Sequence, residues 1–518
     1  MNAILWLAPV LTPVLVAVVL HLRPGHHASW LLALAPAPAG VLAVVGGVLP
    51  APDLSWLLLG AELALDDVTR LLLLLTAVVW SVAGACSRGG PERRRGYTLL
   101  WLLALTGNVG LLVAGDVLTF YTSFAVMTFA AYGLVVHTRT PAARRAGRVY
   151  MVLALVGETA LLAGLMLAVT EAGAVRTVDV AAAVAASPRQ DLLVLLLLLG
   201  LGIKAGVFGL HVWLPLAHPA APFPASAALS GSMIKAGLAG WVHLLPVGQV
   251  ALTGWSDVVV ALGVVTAFAG VLLGLAQRDP KVVLAYSSVS QMGFVTVLVG
   301  VALRDVQVAP LAVAGAAVYA LHHGLAKAAL FLGTGLVRRV PVGTGRTVLL
   351  VGSAFAAASL AGAPATSGAA AKSWLKGALD LVARGDGIGL AMAFAATGTT
   401  VLMVRFMALL VAVPAADGPR AAGRGVLVPW TALLGAVATV TAVLPARLLV
   451  TLEVPAAQLV RDSVWPVALG LALAGVAWLV DRRHPVAVPP LPAGDLVVVG
   501  EGAVTATGRA LGGARARA

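Results

Sequence analysis

The sequence contains very little cysteine and few charged residues. Cys86 is the single cysteine among 518 residues, which excludes a disulfide framework and any cluster held by several cysteines. Charged residues make up only 11% of the chain and hydrophobic residues 60%, which is more apolar surface than one water-soluble core can bury. The chain is therefore expected to lie in a lipid bilayer.

The apolar residues form runs long enough to cross a bilayer, for which a helix needs about 20 residues. We predict an all-α polytopic membrane protein with about 14 to 15 transmembrane helices. The first run lacks a basic leader, so we expect a span and not a removed signal peptide. The predicted spans are 4–21, 30–49, 68–86, 97–115, 117–137, 149–170, 190–210, 224–246, 256–276, 282–302, 308–336, 347–383 with a break, 388–411, 428–449 and 463–480.

The net charge of +13 comes from short arginine-rich clusters between the apolar runs. Such clusters are typical of cytoplasmic loops, and their alternation along the chain predicts an N-terminus outside and a C-terminus in the cytoplasm. This pattern predicts a multi-pass protein of the bacterial cytoplasmic (inner) membrane and argues against nucleic acid as a partner. Residues 482–518, rich in Pro, Gly and Arg, are predicted to form a cytoplasmic tail.

Two stretches interrupt the helical pattern, residues 211–224 (HVWLPLAHPAAPFP) and 362–368 (GAPATSG). We predict helix breaks at Pro215, Pro222 and Pro364. Interrupted helices at corresponding positions of two halves are typical of inverted-repeat transporters, because freed backbone groups are tolerated where they line a hydrated cavity. The sequence therefore predicts two inverted five-helix repeats with two broken helices.

Lysine is rare, since only six of the 34 basic residues are lysine. Lys204, Lys235, Lys327 and Lys372 fall within or beside apolar spans, where an uncompensated cation costs at least about 2.5–3.5 kcal/mol. A buried lysine can release its proton and an arginine cannot, so a row of lysines suits a proton relay. The alternative for each lysine is snorkelling to an interface or a static ion pair.

Two histidines and one glutamate extend the predicted relay. His322 and His323 interrupt the run VYALHHGLAKAALFL, and Lys327 follows His323 by one helical turn on the same face. Glu158, near the middle of the sixth span, is predicted to compensate the charge of Lys204 on the next helix. A purely structural Glu/Lys pair is the alternative.

Other basic residues near the breaks are assigned different roles. Lys281, just after Asp279 at a predicted helix start, is expected to be a loop charge, and Lys376, one turn after Lys372, is either a further member of the relay or a loop charge. His211 and His218 flank the first break. No third ligand accompanies them at a suitable spacing, so no metal site is expected there.

These residues resemble the proton-conducting transporter family: antiporter-like subunits of complex I and of membrane-bound hydrogenases, and large subunits of Mrp cation/proton antiporters. The resemblance runs roughly from Asp116 to Arg405 and is most specific in GIKAGVFGLHVWLPLAHPAAPFPASAALSGSMIKAG, which is most similar to hydrogenase-4-type subunits. It implies that Lys204 and Lys235 are the family's lysines on the broken seventh helix and on the eighth helix. It also implies that Lys372 is the ionisable residue of the second broken helix.

One position departs from the family pattern. In the stretch LTFYTSFAVMTF, Ala125 stands where members that pump usually carry a glutamate. Glu158 is a candidate replacement from the sixth helix, because Lys204 needs a carboxylate within several ångströms and not a particular helix of origin. The alternative is that the first half-channel has lost its function.

The resemblance implies a proton-translocating membrane subunit of a complex I-like or hydrogenase-4-like respiratory assembly. The antiporter-like core would comprise residues 116–411, with repeats at about 97–246 and 256–411, flanked by transmembrane helices in 1–115 and 412–481. No cofactor, metal or catalytic residue of its own is expected, because the sequence has no nucleotide-binding loop or cysteine set. Redox chemistry would belong to a surrounding NADH:quinone oxidoreductase-like or hydrogenase complex.

Three alternatives remain open. The chain could be an Mrp-type Na+/H+ antiporter subunit, the energising subunit of an inorganic-carbon uptake complex, or a non-conducting assembly scaffold, as Ala125 suggests. The expected partners are other membrane subunits, protons, the lipid bilayer and, for an antiporter, Na+.

Overall fold

The computed structural model describes residues 2–22, 30–54, 56–57, 60–87, 95–415, 425, 427–451, 456–483, 491–494 and 497. Within these ranges the regular structure is helical, apart from three isolated β-bridges near the ends of helices. Most of the predicted tail, 482–518, lies outside the described residues.

The first helices are α1 (Asn2–Leu22), α2 (Leu31–Leu34), α3 (Ala37–Val45) and α4 (Asp67–Cys86). The next group is α5 (Arg95–Leu112), α6 (Val117–Val135), α7 (Pro141–Ala172), α8 (Thr177–Ala186), α9 (Gln190–Ala205), α10 (Trp213–Ala220), α11 (Phe223–Ala228) and α12 (Lys235–Leu244). A third group is α13 (Thr253–Leu275), α14 (Pro280–Arg304), α15 (Ala309–Leu336), α16 (Thr344–Ala361), α17 (Ser367–Leu379) and α18 (Gly385–Val411). The last two are α19 (Leu427–Thr451) and α20 (Ala456–Arg483).

By length and composition, 11 of the described helical segments could cross a membrane. Each predicted span coincides with one helix or with two helices in sequence, which confirms an all-α polytopic membrane protein. The short helices α8 and α10 were not predicted. A π-helical segment, Leu229–Met233, joins α11 to α12, and this irregularity was not predicted either.

Helices α14 and α15 form the centre of the bundle. The most apolar 18-residue window of α14 is 100% buried and that of α15 is 78% buried, whereas α1 and α20 are each 17% buried in theirs. A helix that is apolar all round and buried all round belongs to a core, whereas exposed apolar faces on outer helices suit contact with lipid. The residues on α14 and α15 are therefore the most protected from solvent.

Close packing around α14 depends on glycine. A Cβ atom at Gly270 of α13 would come within 2.4 Å of the backbone nitrogen of Ser290, and one at Gly293 of α14 within 2.5 Å of that of Ala267. Small residues at a helix interface let two backbones approach closely. Any larger residue at these two positions would force α13 and α14 apart.

The two broken helices end at glycines. Gly206 (φ 73°) and Gly362 (φ 85°) adopt the left-handed conformation directly after α9 and α16, which glycine accommodates without steric cost. The first broken helix, α9, thus ends upstream of Pro215. Pro215 lies in the first turn of α10, where a backbone N–H would have no intrahelical acceptor, so its missing N–H costs no hydrogen bond. Pro222 precedes α11, and Pro364 lies between α16 and α17.

Candidate functional site

Three of the four predicted relay lysines are completely inside the bundle. Lys204, Lys235 and Lys327 are 5%, 1% and 0% exposed, and Lys372 is partly buried. The ammonium of every one of them donates a hydrogen bond to a protein oxygen, and none of these acceptors is a carboxylate. A buried ammonium needs such acceptors, because transfer of a charge out of water without partners is very costly.

Lys204 lies in the last turn of α9, beside the first break. Its Nζ donates to the Thr128 hydroxyl of α6 at 3.3 Å and to the Tyr150 hydroxyl of α7 at 3.4 Å. The ring of Phe124 lies 5.6 Å from the same nitrogen, within range of a cation–π interaction. Across the break, the Trp213 indole donates to the Ile203 carbonyl at 2.8 Å and ties α10 to the end of α9.

Glu158 lies on α7 and is buried, and its carboxylate oxygens have no hydrogen-bond partner among the described residues. It shares with Lys204 a small cavity of about 20 Å³ that Thr128 and Tyr150 also line. A cavity of this size can hold about one water molecule. The predicted pair is therefore not a direct ion pair in this structure, but the two side chains border a common space.

Ala125 of α6 is half-buried and does not line this cavity. The α6 residues that contact Lys204 are Phe124, through its ring, and Thr128, through a hydrogen bond. Sequence reasoning missed both Thr128 and Tyr150, since a hydroxyl in an apolar span gives no signal of its own.

Lys235 begins α12, directly after the π-helical segment. Its Nζ donates to the carbonyl of Ser230, five residues earlier in the π-helical segment, at 2.5 Å. A π-helical segment shifts the backbone bonding by one residue, which leaves carbonyl groups available for side chains and occurs frequently at functional sites. The hydroxyl of Ser230 in turn lies 2.8 Å from that of Ser288 on α14.

Lys327 lies on α15 and points at α14. Its Nζ donates to the Leu284 carbonyl at 2.7 Å and to the Ser287 hydroxyl at 2.6 Å. These two residues and Ser288 belong to the stretch LAYSSVSQMG, whose serines would be unfavourable inside a bundle without polar partners. The serines of α14 therefore accompany two relay lysines, one through Ser287 and the other through Ser288 and Ser230.

The two histidines differ in their contacts. His322 Nδ1 lies 2.9 Å from the hydroxyl of Ser367, at the start of α17, and that hydroxyl also lies 3.2 Å from Thr441 of α19. The ring nitrogens of the fully buried His323 have no hydrogen-bond partner among the described residues. His322 thus connects the centre of the bundle to the second break.

Lys372 lies on α17, after the second break, and its side chain points back to the end of α16. Its Nζ donates to the carbonyls of Leu360 and Ala361 at 3.2 and 2.5 Å. Those carbonyls belong to the last turn of α16, where they have no intrahelical partner and carry partial negative charge. The side chain also lines a cavity of about 70 Å³ between α14, α16, α17, α18 and α20.

Two further basic residues do not behave as loop charges. Lys281 begins α14 and its Nζ donates to the carbonyls of His218 and Ala221, at the end of α10, at 3.2 and 2.7 Å. The expectation of a loop charge was wrong, because the ammonium binds main-chain oxygens at the end of α10, one of which, that of His218, also accepts from the Ser226 hydroxyl. Lys376 forms ion pairs with Asp380 and Asp462.

The site's chemistry is that of proton exchange. Its amines, imidazoles and hydroxyls can each donate and accept protons in at least one protonation state. Within the described residues, no group of three or more His, Cys, Asp and Glu side chains has the arrangement of a metal site.

The chain is similar to a known protein family and to several known proteins. Residues 114–374 match the profile of the family described as "NADH:quinone oxidoreductase/Mrp antiporter, TM". The chain is 35% identical over 247 residues to hydrogenase-4 component B of Escherichia coli (strain K12), covering 45% of this chain and 36% of that protein. It is 32% identical over 340 residues to NADH-quinone oxidoreductase subunit N of Desulforudis audaxviator (strain MP104C), covering 61% and 66%.

The fold also resembles that of a solved complex. A chain of the Mrp complex from Dietzia sp. DQ12-45-1b superposes with a TM-score of 0.76 at 23% identity, covering 98% of this chain and 59% of that one. At this identity the likeness concerns the fold alone. The chain spans less than two thirds of the length of each of these three proteins.

Proposed function

Because this chain belongs to the NADH:quinone oxidoreductase/Mrp antiporter family, we propose that it is a proton-translocating subunit of a complex I-like or hydrogenase-4-like respiratory assembly. The observation that carries the proposal is the row of four lysines whose ammonium groups bond to hydroxyl and main-chain oxygens inside apolar helices. Static ion pairs would need carboxylates, and the contacts of these lysines are of another kind. Groups that bond to neutral oxygens can lose a proton without leaving a buried anion unpaired.

The proposed relay runs from Glu158 and Lys204 through Lys235, Lys327 and the histidines to Lys372. Serine hydroxyls support two of its steps: Ser287 contacts Lys327, and the Ser230–Ser288 pair joins the helix of Lys235 to α14. His322 and Ser367 lead from there toward the second break. Water molecules would complete the path where side chains do not touch, as between Glu158 and Lys204.

We also propose that residues 116–411 form an antiporter-like core and that residues 97–246 and 256–411 form two inverted repeats. Supporting this, each contains a helix that ends at a left-handed glycine beside a relay lysine. Residues 1–115 and 412–481 would supply the flanking transmembrane helices.

The bacterial cytoplasmic membrane is the proposed location, and other membrane subunits, lipid and protons are the proposed partners. The likeness to a chain of an Mrp complex supports a second candidate, an Mrp-type Na+/H+ antiporter subunit. An energising role in inorganic-carbon uptake involves the same proton path. Ala125 motivates the third candidate, a non-conducting scaffold.

Proton uptake into vesicles that contain the purified complex tests these candidates. We expect uptake in the unmodified complex, and loss of uptake in Lys327→Met, which keeps the volume of the side chain and removes its charge. Uptake that requires Na+ on the opposite side would favour the antiporter. Unchanged uptake in Lys327→Met, with the complex assembled normally on size-exclusion chromatography, would contradict the relay and favour the scaffold.

A further inference from the structure

The cavity of about 70 Å³ beside Lys372 is lined by charged residues from two helices, α17 and α20. Lys372 and the end of α16 line it, and so do Lys376 of α17 and Asp462 of α20, whose side chains are 43% and 24% exposed. Ser373 and Ser463 add polar groups between them. Most of the other lining residues are apolar, and a space of this size can hold several water molecules beside the polar groups.

Lys376 is shared by two carboxylates. Its Nζ lies 3.0 Å from Asp380, one turn further along α17, and 3.8 Å from Asp462 on α20. The side chain of Lys376 is 43% exposed and that of Asp380 is 42% exposed, so neither ion pair is deeply buried. Ion pairs of this exposure contribute little to stability and exchange readily.

The two carboxylates differ in position. Asp462 lines the cavity and belongs to a different helix from Lys376, so its partly exposed ion pair bridges α17 and α20 at the cavity wall. Asp380 does not line the cavity, and its ion pair with Lys376 stays within α17. Movement of Lys376 from Asp462 to Asp380 alone would remove the bridge across the opening.

We propose that Lys376 and Asp462 form a gate at the mouth of this cavity, which controls the access of water and protons to Lys372. The proposal rests on the function proposed above. The gate is closed when the ammonium lies between both carboxylates and open when it pairs with Asp380 only. Both residues lie beyond the segment 114–374 that matches the family profile, so α20 gives the chain a control element outside that segment.

Thiol labelling inside the cavity tests the gate without measuring transport. The only cysteine is Cys86, so Cys86→Ala removes every thiol from the chain, and Ser373→Cys then places one thiol in the cavity wall. The probe is methyl methanethiosulfonate, which is small and neutral, applied to the purified complex. The labelling rate is measured by mass spectrometry. Gly389→Cys, at a cavity position where a Cβ meets no atom within 4 Å, provides a second site.

Asp462→Asn and Asp380→Asn are the matched variants, because each removes one negative charge next to Lys376. We expect Asp462→Asn to raise the labelling rate about fivefold, since the bridge across the mouth is lost. Asp380→Asn is expected to leave the rate unchanged or to lower it, because Lys376 then pairs with Asp462 alone. Equal effects of both variants, or no effect of Asp462→Asn, at both cysteine sites would overturn the gate.

The gate and the proposed function can be rejected independently of each other. If vesicles show no proton uptake and Asp462→Asn still raises labelling selectively, the function proposed above is wrong and the opening between α17 and α20 is still controlled by Lys376. If uptake requires Lys327 and labelling is insensitive to Asp462, the relay stands and the gate is rejected.

Discussion

The ammonium group of Lys327 and the hydroxyl group of Ser287 lie 2.6 Å apart, although the residues belong to different helices. The same ammonium donates to the Leu284 carbonyl at 2.7 Å. Both acceptors are on α14, whose apolar window is the most completely buried among the 11 described helices that could cross a membrane. The orientation of the central lysine is therefore fixed by one hydroxyl and one main-chain oxygen.

Ser287→Ala removes one of these two acceptors. We expect proton uptake to fall about fivefold, because one hydrogen bond to a buried cation is lost and the other remains. The measurement is initial uptake in vesicles, and Ser256→Ala is the control, since the buried Ser256 hydroxyl has no hydrogen-bond partner among the described residues. Equal uptake in both variants would show that Ser287 does not position the relay lysine.

Glu158→Gln tests whether a carboxylate on α7 serves Lys204. We expect proton uptake to be abolished, since the amide keeps the size of the side chain and loses its charge. Adding Ala125→Glu to this variant is expected to restore part of the uptake, because the new carboxylate lies one turn from Thr128, which contacts Lys204. Full uptake in Glu158→Gln alone would mean that the first half of the molecule works without a carboxylate, or does not take part in uptake.

Lys235→Ala and Lys235→Arg test the π-helical segment and its lysine. Both variants are expected to abolish uptake while the complex assembles, because Ala cannot carry a proton and Arg cannot release one. The ammonium is held by the Ser230 carbonyl and has no carboxylate within ion-pair distance among the described residues. Assembly is followed separately by size-exclusion chromatography. Coupled uptake in Lys235→Arg would remove this residue from the relay.

Gly362→Ala tests the second break. The residue has a φ of 85°, and a Cβ atom there would lie 2.7 Å from Lys372 Nζ, so the lysine must move from the carbonyls of α16. We expect a loss of stability of about 1–2 kcal/mol from the backbone conformation, together with reduced uptake. Gly387→Ala is the control, because a Cβ atom there would meet no other atom within 4 Å and the φ of Gly387 is not in the left-handed region. Thermal unfolding and vesicle uptake give the two readouts.

Much of the fold could be predicted from the sequence because the length of an apolar run is a local property. The helices of the bundle coincide with the predicted spans for this reason. The π-helical segment Leu229–Met233 could not be predicted, since its residues LSGSM are equally compatible with an α-helix. Helix α8 was missed because its ten residues are too few to form a span.

Burial of the lysines could also be predicted, from their position in apolar runs. Their partners could not, because a main-chain carbonyl carries no sequence signal and becomes available only where a helix ends or changes its pattern. Lys281 illustrates the difficulty. It follows Asp279 at a helix start, and its acceptors at His218 and Ala221 are about 60 residues away in the chain.

The contacts of Lys372 with the last carbonyls of α16 differ in kind from the surroundings of Lys204, which shares a cavity with the side-chain carboxylate of Glu158. A single nucleotide change can remove Glu158 from a descendant of this protein, but no amino-acid substitution removes the main-chain oxygens of Leu360 and Ala361. The two ends of the lysine row are therefore unequally exposed to mutation. Across related sequences, the acidic partner of the lysine at position 204 should vary in position and identity. The main-chain partners of the lysine at position 372 should be preserved wherever the helix break itself is preserved.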